Sequence, residues 1–74
     1  VDQRAAAAEH RLALRAPQLT PRERQVCARI ASGMSTDGIA VDLAIAASTV
    51  VTLRKRAYAK LGIAERLALA RFVY

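Results

Sequence analysis

Apolar residues recur along this chain at helical spacing, not in the alternation of strands. Val26, Cys27, Ile30 and Ala31 fall on one face of a helix whose beginning is written in LTPRE. Thr20 is the expected cap, Glu23 stands three residues on, and Pro21 takes the first helical position, where a missing N–H costs nothing. Gly33 stops this helix by taking the left-handed conformation. Ser35 is expected to cap a second, short helix with Ile39, Ala40 and Leu43 along its buried edge, weakened by Gly38. Ala44-Ile45-Ala46-Ala47 makes a tight connection to Ser48 or Thr49, the start of a third helix over about 49–61. Val50, Leu53, Ala57 and Leu61 share one face of it, while Val51, Thr52, Lys55 and Ala59 lie opposite, flanked by Arg54 and Arg56. Gly62 ends it, and Ile63 is placed for the apolar contact that follows a glycine stop. A fourth helix is predicted over about 64–73, apolar nearly all round except for Glu65, Arg66 and Arg71.

Ahead of these, residues 2–15 read as a helix on propensity, with Ala5–Ala8 at its centre and Pro17 disfavouring helix at Ala16. Leu12 and Leu14 offer little to bury. Residues 1–18 are therefore expected to be a linker helix or the remnant of an upstream domain, with the main domain over 19–74. The chain starts without methionine and in mid-pattern, so it is expected to be a piece of something longer. Seventeen alanines against three glycines and two prolines place it in the all-α class. With 74 residues there is one small domain, which buries only about 60% of its unfolded surface and depends on dense packing.

Charge changes the picture more than composition does. The net charge is +6, and it is unevenly spread. Residues 35–48 carry −2 from Asp37 and Asp42, whereas 49–62 carry +4 from Arg54, Lys55, Arg56 and Lys60 with no acid among them. A solvated helix face usually mixes signs, so a one-sign cluster points to an anionic partner. Three short helices with a tight turn before a basic third one describe a helix-turn-helix. The acidic second helix braces the third, which can enter a major groove about 12 Å wide. In that reading Val51, Thr52 and Lys55 face base edges of double-stranded DNA, while Thr49, Arg54, Arg56 and Lys60 hold phosphates.

The string LTPRERQV…IASGMS…IA..L.IA.STV…R.RAYAKLGI..R resembles the C-terminal DNA-binding domain of the LuxR/GerE family of bacterial transcription regulators. The resemblance covers 19–73 and rests on Leu19-Thr20, Arg22-Glu23, Gly33, Ile39-Ala40, Leu43, Thr49-Val50, Lys60-Leu61-Gly62 and Arg66 at their mutual spacing. It implies a four-helix domain whose third helix reads DNA and whose fourth often forms a dimer. The chain departs from the family's pattern at Val51, where many members are basic, and at Leu53, where histidine is frequent. Ala46, Ala47 and Gly38 also replace more polar residues, which bears on the target sequence and not on the fold.

Other chemistry finds little support. There is no phosphate-binding glycine loop, no nucleophile with a base and no metal-ligand cluster, so neither an enzyme nor a cofactor is expected. His10 stands without a second ligand, Asp37 and Asp42 do not share a helical face, and the lone Cys27 reads as a core residue. No signal peptide or membrane-length apolar run is recognisable, so a cytoplasmic setting is expected, with no membrane and no small molecule bound. Tyr58 is expected to pack, and Tyr74 either to pack or to lie outward. In the last helix Leu69, Phe72 and Val73 are assigned to the core. That leaves Ala64, Leu67, Ala68, Arg71 and Tyr74 for a homodimer contact. The alternative reading is a helical protein–protein module with weak or lost DNA binding, suggested by the apolar Val51 and Leu53.

Overall fold

Thr20 caps its helix in both directions. In the computed structural model, which describes residues 3–74, the Glu23 amide donates to Thr20 Oγ1 at 3.2 Å and the Thr20 amide to Glu23 Oε1 at 2.9 Å. The helix so begun is the second of the molecule: α1 spans Gln3–Arg15, α2 Pro21–Ala31, α3 Thr36–Leu43 and α4 Ala47–Leu61. A single 3-10 turn, Arg66–Leu69, then leads into the one-turn α5, Ala70–Val73. Asp2, the first residue of the helix expected over 2–15, lies outside the described residues. The described residues are all-helical, without strands.

Three helices end in the same way, and only two of them on glycine. Gly33 at φ +98° and Gly62 at φ +68° stop α2 and α4. Ala44, at φ 56°, stops α3 in the same left-handed region. At each stop two successive amides turn back onto the last turn's carbonyls, as when Ala44 donates to Val41 at 3.2 Å and Ile45 to Ala40 at 3.0 Å. α4 begins at Ala47, earlier than the Ser48 or Thr49 expected. Its cap, Ala46, makes no side-chain bond. The tight α3 stop fixes this start, because Ile45 packs into the core and the chain must turn upward at once.

The core consists of two clusters that share Ile30. Val26, Ile39, Ala40 and Val50 join α2, α3 and α4, with Leu43, Ile45 and Leu53 packed around them. Leu12, Ala16, Leu19, Cys27, Ala28, Ala57, Leu69 and Val73 join α1, α2, α4 and the C-terminal segment. The expectation that α1 has little to bury is corrected here. Leu12 is completely buried, Ala5 and Ala8 are nearly so, and α1 lies along α2. Small alanine side chains let the two helices approach closely, so a sparse apolar stripe suffices.

The fourth helix of the sequence reading is also corrected. Glu65 is extended (φ −146°, ψ 160°), and the helical chain resumes only at Arg66, first as the tight turn and then as α5. Ile63 and Leu69 both pack in the cluster around Leu12, Cys27 and Ala57. Six residues apart, they would point about 120° away from each other on a continuous α-helix. Breaking the helix between them lets both face inward. Leu69 and Val73 are buried and Phe72 half-buried, the core role assigned to them.

Candidate nucleic-acid interface

α3 and α4 meet at a bend of 105°, joined by the three residues Ala44, Ile45 and Ala46. Helix-turn-helix units have crossings of about 90–120° and turns of about this length. Ile39 and Ala40 of α3 seat against Val50 of α4 and Val26 of α2, all buried, so the brace holds α4 through its apolar side. The opposite side of α4 is left free. Ser48, Thr49, Thr52, Lys55, Arg56 and Ala59 are exposed, and Val51 and Arg54 are half-buried along its flank. Thr49, Thr52, Lys55 and Arg56 are thus brought onto one surface, with Val51 and Arg54 at its edge. Leu53 instead packs on the cluster of Val26, Ile39 and Val50 and belongs to the core. The Thr52 hydroxyl donates to the Ser48 carbonyl at 3.0 Å, which commits its proton and leaves an oxygen acceptor and a methyl outward.

Lys60 is placed differently from the phosphate-holding role expected of it. Its Nζ lies 2.7 Å from Glu23 Oε1, the same oxygen that accepts the Thr20 amide. Glu23 is the one buried charged residue among those described. Burial pushes its carboxyl up, but the bonds from Lys60 and from the Thr20 backbone outweigh this, and the group ends below its ordinary 4.5. The pair fastens the C-terminal end of α4 to the N-terminal end of α2. A pairing 37 residues apart in sequence carries no local signal.

Arg29 is engaged in the same sense. Its Nε donates to Asp42 of α3 at 2.6 Å and its Nη1 to Glu9 of α1 at 3.1 Å, so one guanidinium ties three helices. Cys27 is buried, and burial together with the nearby Glu23 charge pushes its thiol up to about 12, which keeps it protonated and inert. No group of His, Cys, Asp and Glu with the make-up of a metal site occurs among the described residues. No single helix there is long and apolar enough to cross a membrane.

The residues assigned to a dimer contact lie mostly outward. Leu67 is 76% and Tyr74 78% exposed, Ala64 and Arg71 are exposed, and Ala68 is half-buried. Tyr74 thus takes the outward of its two expected positions, while Tyr58 is half-buried against the cluster around Leu12, Cys27 and Ala57. The Tyr74 carbonyl accepts from Arg15 Nη1 at 2.7 Å, which holds the last residue against α1. Arg66, which sequence reasoning gave as a mark of the resemblance but not as a site residue, joins Arg54 and Tyr58 around a cleft beside the start of α3.

The pattern of the bacterial regulatory proteins of the luxR family matches residues 17–73. The chain belongs to that family. The chain is 51% identical over 53 residues to a probable transcriptional regulatory protein NarL of Mycobacterium tuberculosis (strain CDC 1551 / Oshkosh). It is 49% identical over 53 residues to an HTH-type transcriptional regulator MalT of Serratia proteamaculans (strain 568). Both alignments cover 72% of this chain, but only 24% of that NarL and 6% of that MalT. No solved structure matches the chain significantly. The match ties the 105° helix pair to a family of transcription regulators, which are not enzymes.

Proposed function

We propose that this luxR-family domain regulates transcription by binding specific sites on double-stranded DNA, with α4 in the major groove. The observation that carries the reading is the exposed side of α4: it bears Lys55 and Arg56 with no acid, while the apolar side of the helix packs on α3, which meets it at 105°. Lys55, Thr52 and the flanking Val51 are the base-reading side chains. Lys55 suits a guanine edge, the Thr52 oxygen an amino group, and Val51 a thymine methyl. Thr49, Arg54 and Arg56 hold phosphates on either side. Lys60 acts chiefly through Glu23 and so supports the helix from behind. A regulator of bacterial genes works where the chromosome lies, so its place is the cytoplasm.

The test compares binding of variants to a selected duplex and to random duplex. Lys55→Gln is expected to cost about 1–3 kcal/mol on the selected site, with relaxed specificity. Arg56→Gln is expected to weaken both duplexes alike, reducing the salt slope by about 0.9 for a lost phosphate. Lack of any footprint, with a flat salt response, would overturn the reading.

A homodimer is the second part of the proposal. Leu67 and Tyr74 are large apolar side chains left outward on a small domain, with Ala64, Ala68 and Arg71 beside them. Two copies joined there would offer two α4 helices to half-sites about 34 Å apart, one turn of duplex. The patch is small, so association is expected to be weak without DNA. Sedimentation of the domain with a palindromic site should show two copies, reduced to one by Leu67→Arg. A one-to-one complex insensitive to that change would remove the dimer from the proposal.

A further inference from the structure

We infer that the cleft between the start of α3 and the C-terminal segment is a phosphate-binding site, built by Arg54 and Arg66, that clamps the backbone of bound DNA beside the groove. The inference rests on the DNA-binding reading above and adds the C-terminal segment to the interface. The cleft has a volume of about 300 Å³, ample for one phosphate group with water. Arg54 lines it from α4 and Arg66 from the 3-10 turn, and hydroxyl-bearing Ser35, Thr36 and Tyr58 line it together with apolar Ile30 and Met34.

Neither of these two arginines is neutralised by a carboxylate, and the two share one cleft. Arg29 and Lys60, in contrast, are both taken up by carboxylates at 3.1 Å or less. Among the described residues no hydrogen bond or ion pair engages Arg54 or Arg66, although Glu65 is the chain neighbour of one of them. Two guanidinium groups held at one cleft repel each other, and a doubly coordinated oxyanion removes that repulsion. Their joint field is felt at the Tyr58 hydroxyl. Burial and the nearby Cys27 raise that group above its ordinary value, and Arg54 and Arg66 both pull it down. The position is also the right one. The cleft lies along the same flank of α4 as half-buried Val51 and Arg54, next to the exposed base-reading surface and not behind it.

The shared chemistry is a tetrahedral phosphate, from a duplex backbone or free in solution, and the experiment separates the two sources. Arg66→Gln, at an exposed position, should leave the melting temperature unchanged. It should lower affinity for selected and random duplex alike by roughly tenfold, and reduce the slope of log K against log salt by about 0.9. Lys55→Gln, in contrast, should change the preference between the two duplexes. If wild-type protein binds DNA and Arg66→Gln changes neither affinity nor slope, the cleft is overturned while the DNA-binding reading stands. If wild-type protein binds no duplex, that reading has failed, and the cleft is judged by titrating the 74-residue chain with inorganic phosphate. Shifts in the Arg54 and Arg66 side-chain NMR signals that vanish in Arg66→Gln would support a site for free phosphate. Their absence would overturn it.

Discussion

Ala44 sits at φ 56° and ψ 45°, where an L-residue pays about 1–2 kcal/mol and glycine nothing. The position is fixed from both sides, because Ala40 and Ile39 are buried before it and Ile45 packs after it. Ala44→Gly should therefore stabilise the domain by up to about 1 kcal/mol, the relief of strain being partly offset by the greater freedom of glycine when unfolded. Urea melts read this directly, and an unchanged or lower midpoint would show that the turn is not strained. Glu23 makes the opposite case. Its carboxyl is held below its ordinary value, so the stabilisation it gives is present above the unfolded pKa near 4.5 and is lost as pH falls through the lower, folded value. Glu23→Gln should cost about 1–3 kcal/mol at pH 7, because it weakens bonds to both Lys60 and the Thr20 amide. The difference from wild type should shrink as pH is lowered below that range. A gap that persists undiminished in acid would mean the cost is one of packing alone.

α1 shows how an element can be read correctly and its role missed. Its alanines predict the helix, but only the presence of α2 turns Ala5, Ala8 and Leu12 into a buried stripe. Leu12→Ala should cost about 2–5 kcal/mol, as for any filled core position, and Leu14→Ala, on the 70% exposed side, should cost almost nothing. Thr20→Ala removes one acceptor at the head of α2 and should fall between them, at about 1 kcal/mol. Denaturant midpoints in the order Leu12→Ala, Thr20→Ala, Leu14→Ala test the assignment; equal effects of the two leucines would contradict it. The C-terminal segment is governed by the same competition. Ala, Leu and Arg favour continuous helix there, yet Ile63 and Leu69 must both reach the core, and burial outweighs propensity over so few residues.

Across the molecule, charge is divided between groups that hold the fold and groups that are left over. Glu23 and Lys60 join α2 to α4, and Arg29 joins α1, α2 and α3 through Glu9 and Asp42. Much of the remaining +6 is exposed and repels itself. Raising salt should therefore leave the free domain as stable or slightly more so, since screening weakens that repulsion. Binding to duplex should respond in the other direction, falling roughly a hundredfold from ~50 to ~200 mM salt for about four neutralised phosphates. Thermal melts and binding isotherms over the same salt series distinguish the two. Parallel losses would mean that the ion pairs, and not the free cations, dominate the salt response.

The features legible in the chain are those whose causes lie within about one helical turn of each other. The Thr20–Glu23 box, the stops at Gly33 and Gly62 and the apolar face around Val50 and Ala57 are of this kind, since cap chemistry, left-handed backbone and helical period are local. The unmixed basic charge of α4 was legible for the same reason. Which of those cations remain available was not. Lys60 is claimed by a carboxylate 37 positions away, and Arg29 by one 20 positions back and one 13 ahead. Arg54 and Arg66 share a cleft only because the last helix breaks at Glu65 to bring Leu69 inward. Each of these outcomes depends on which elements come to lie together, and a one-dimensional period contains no information about that.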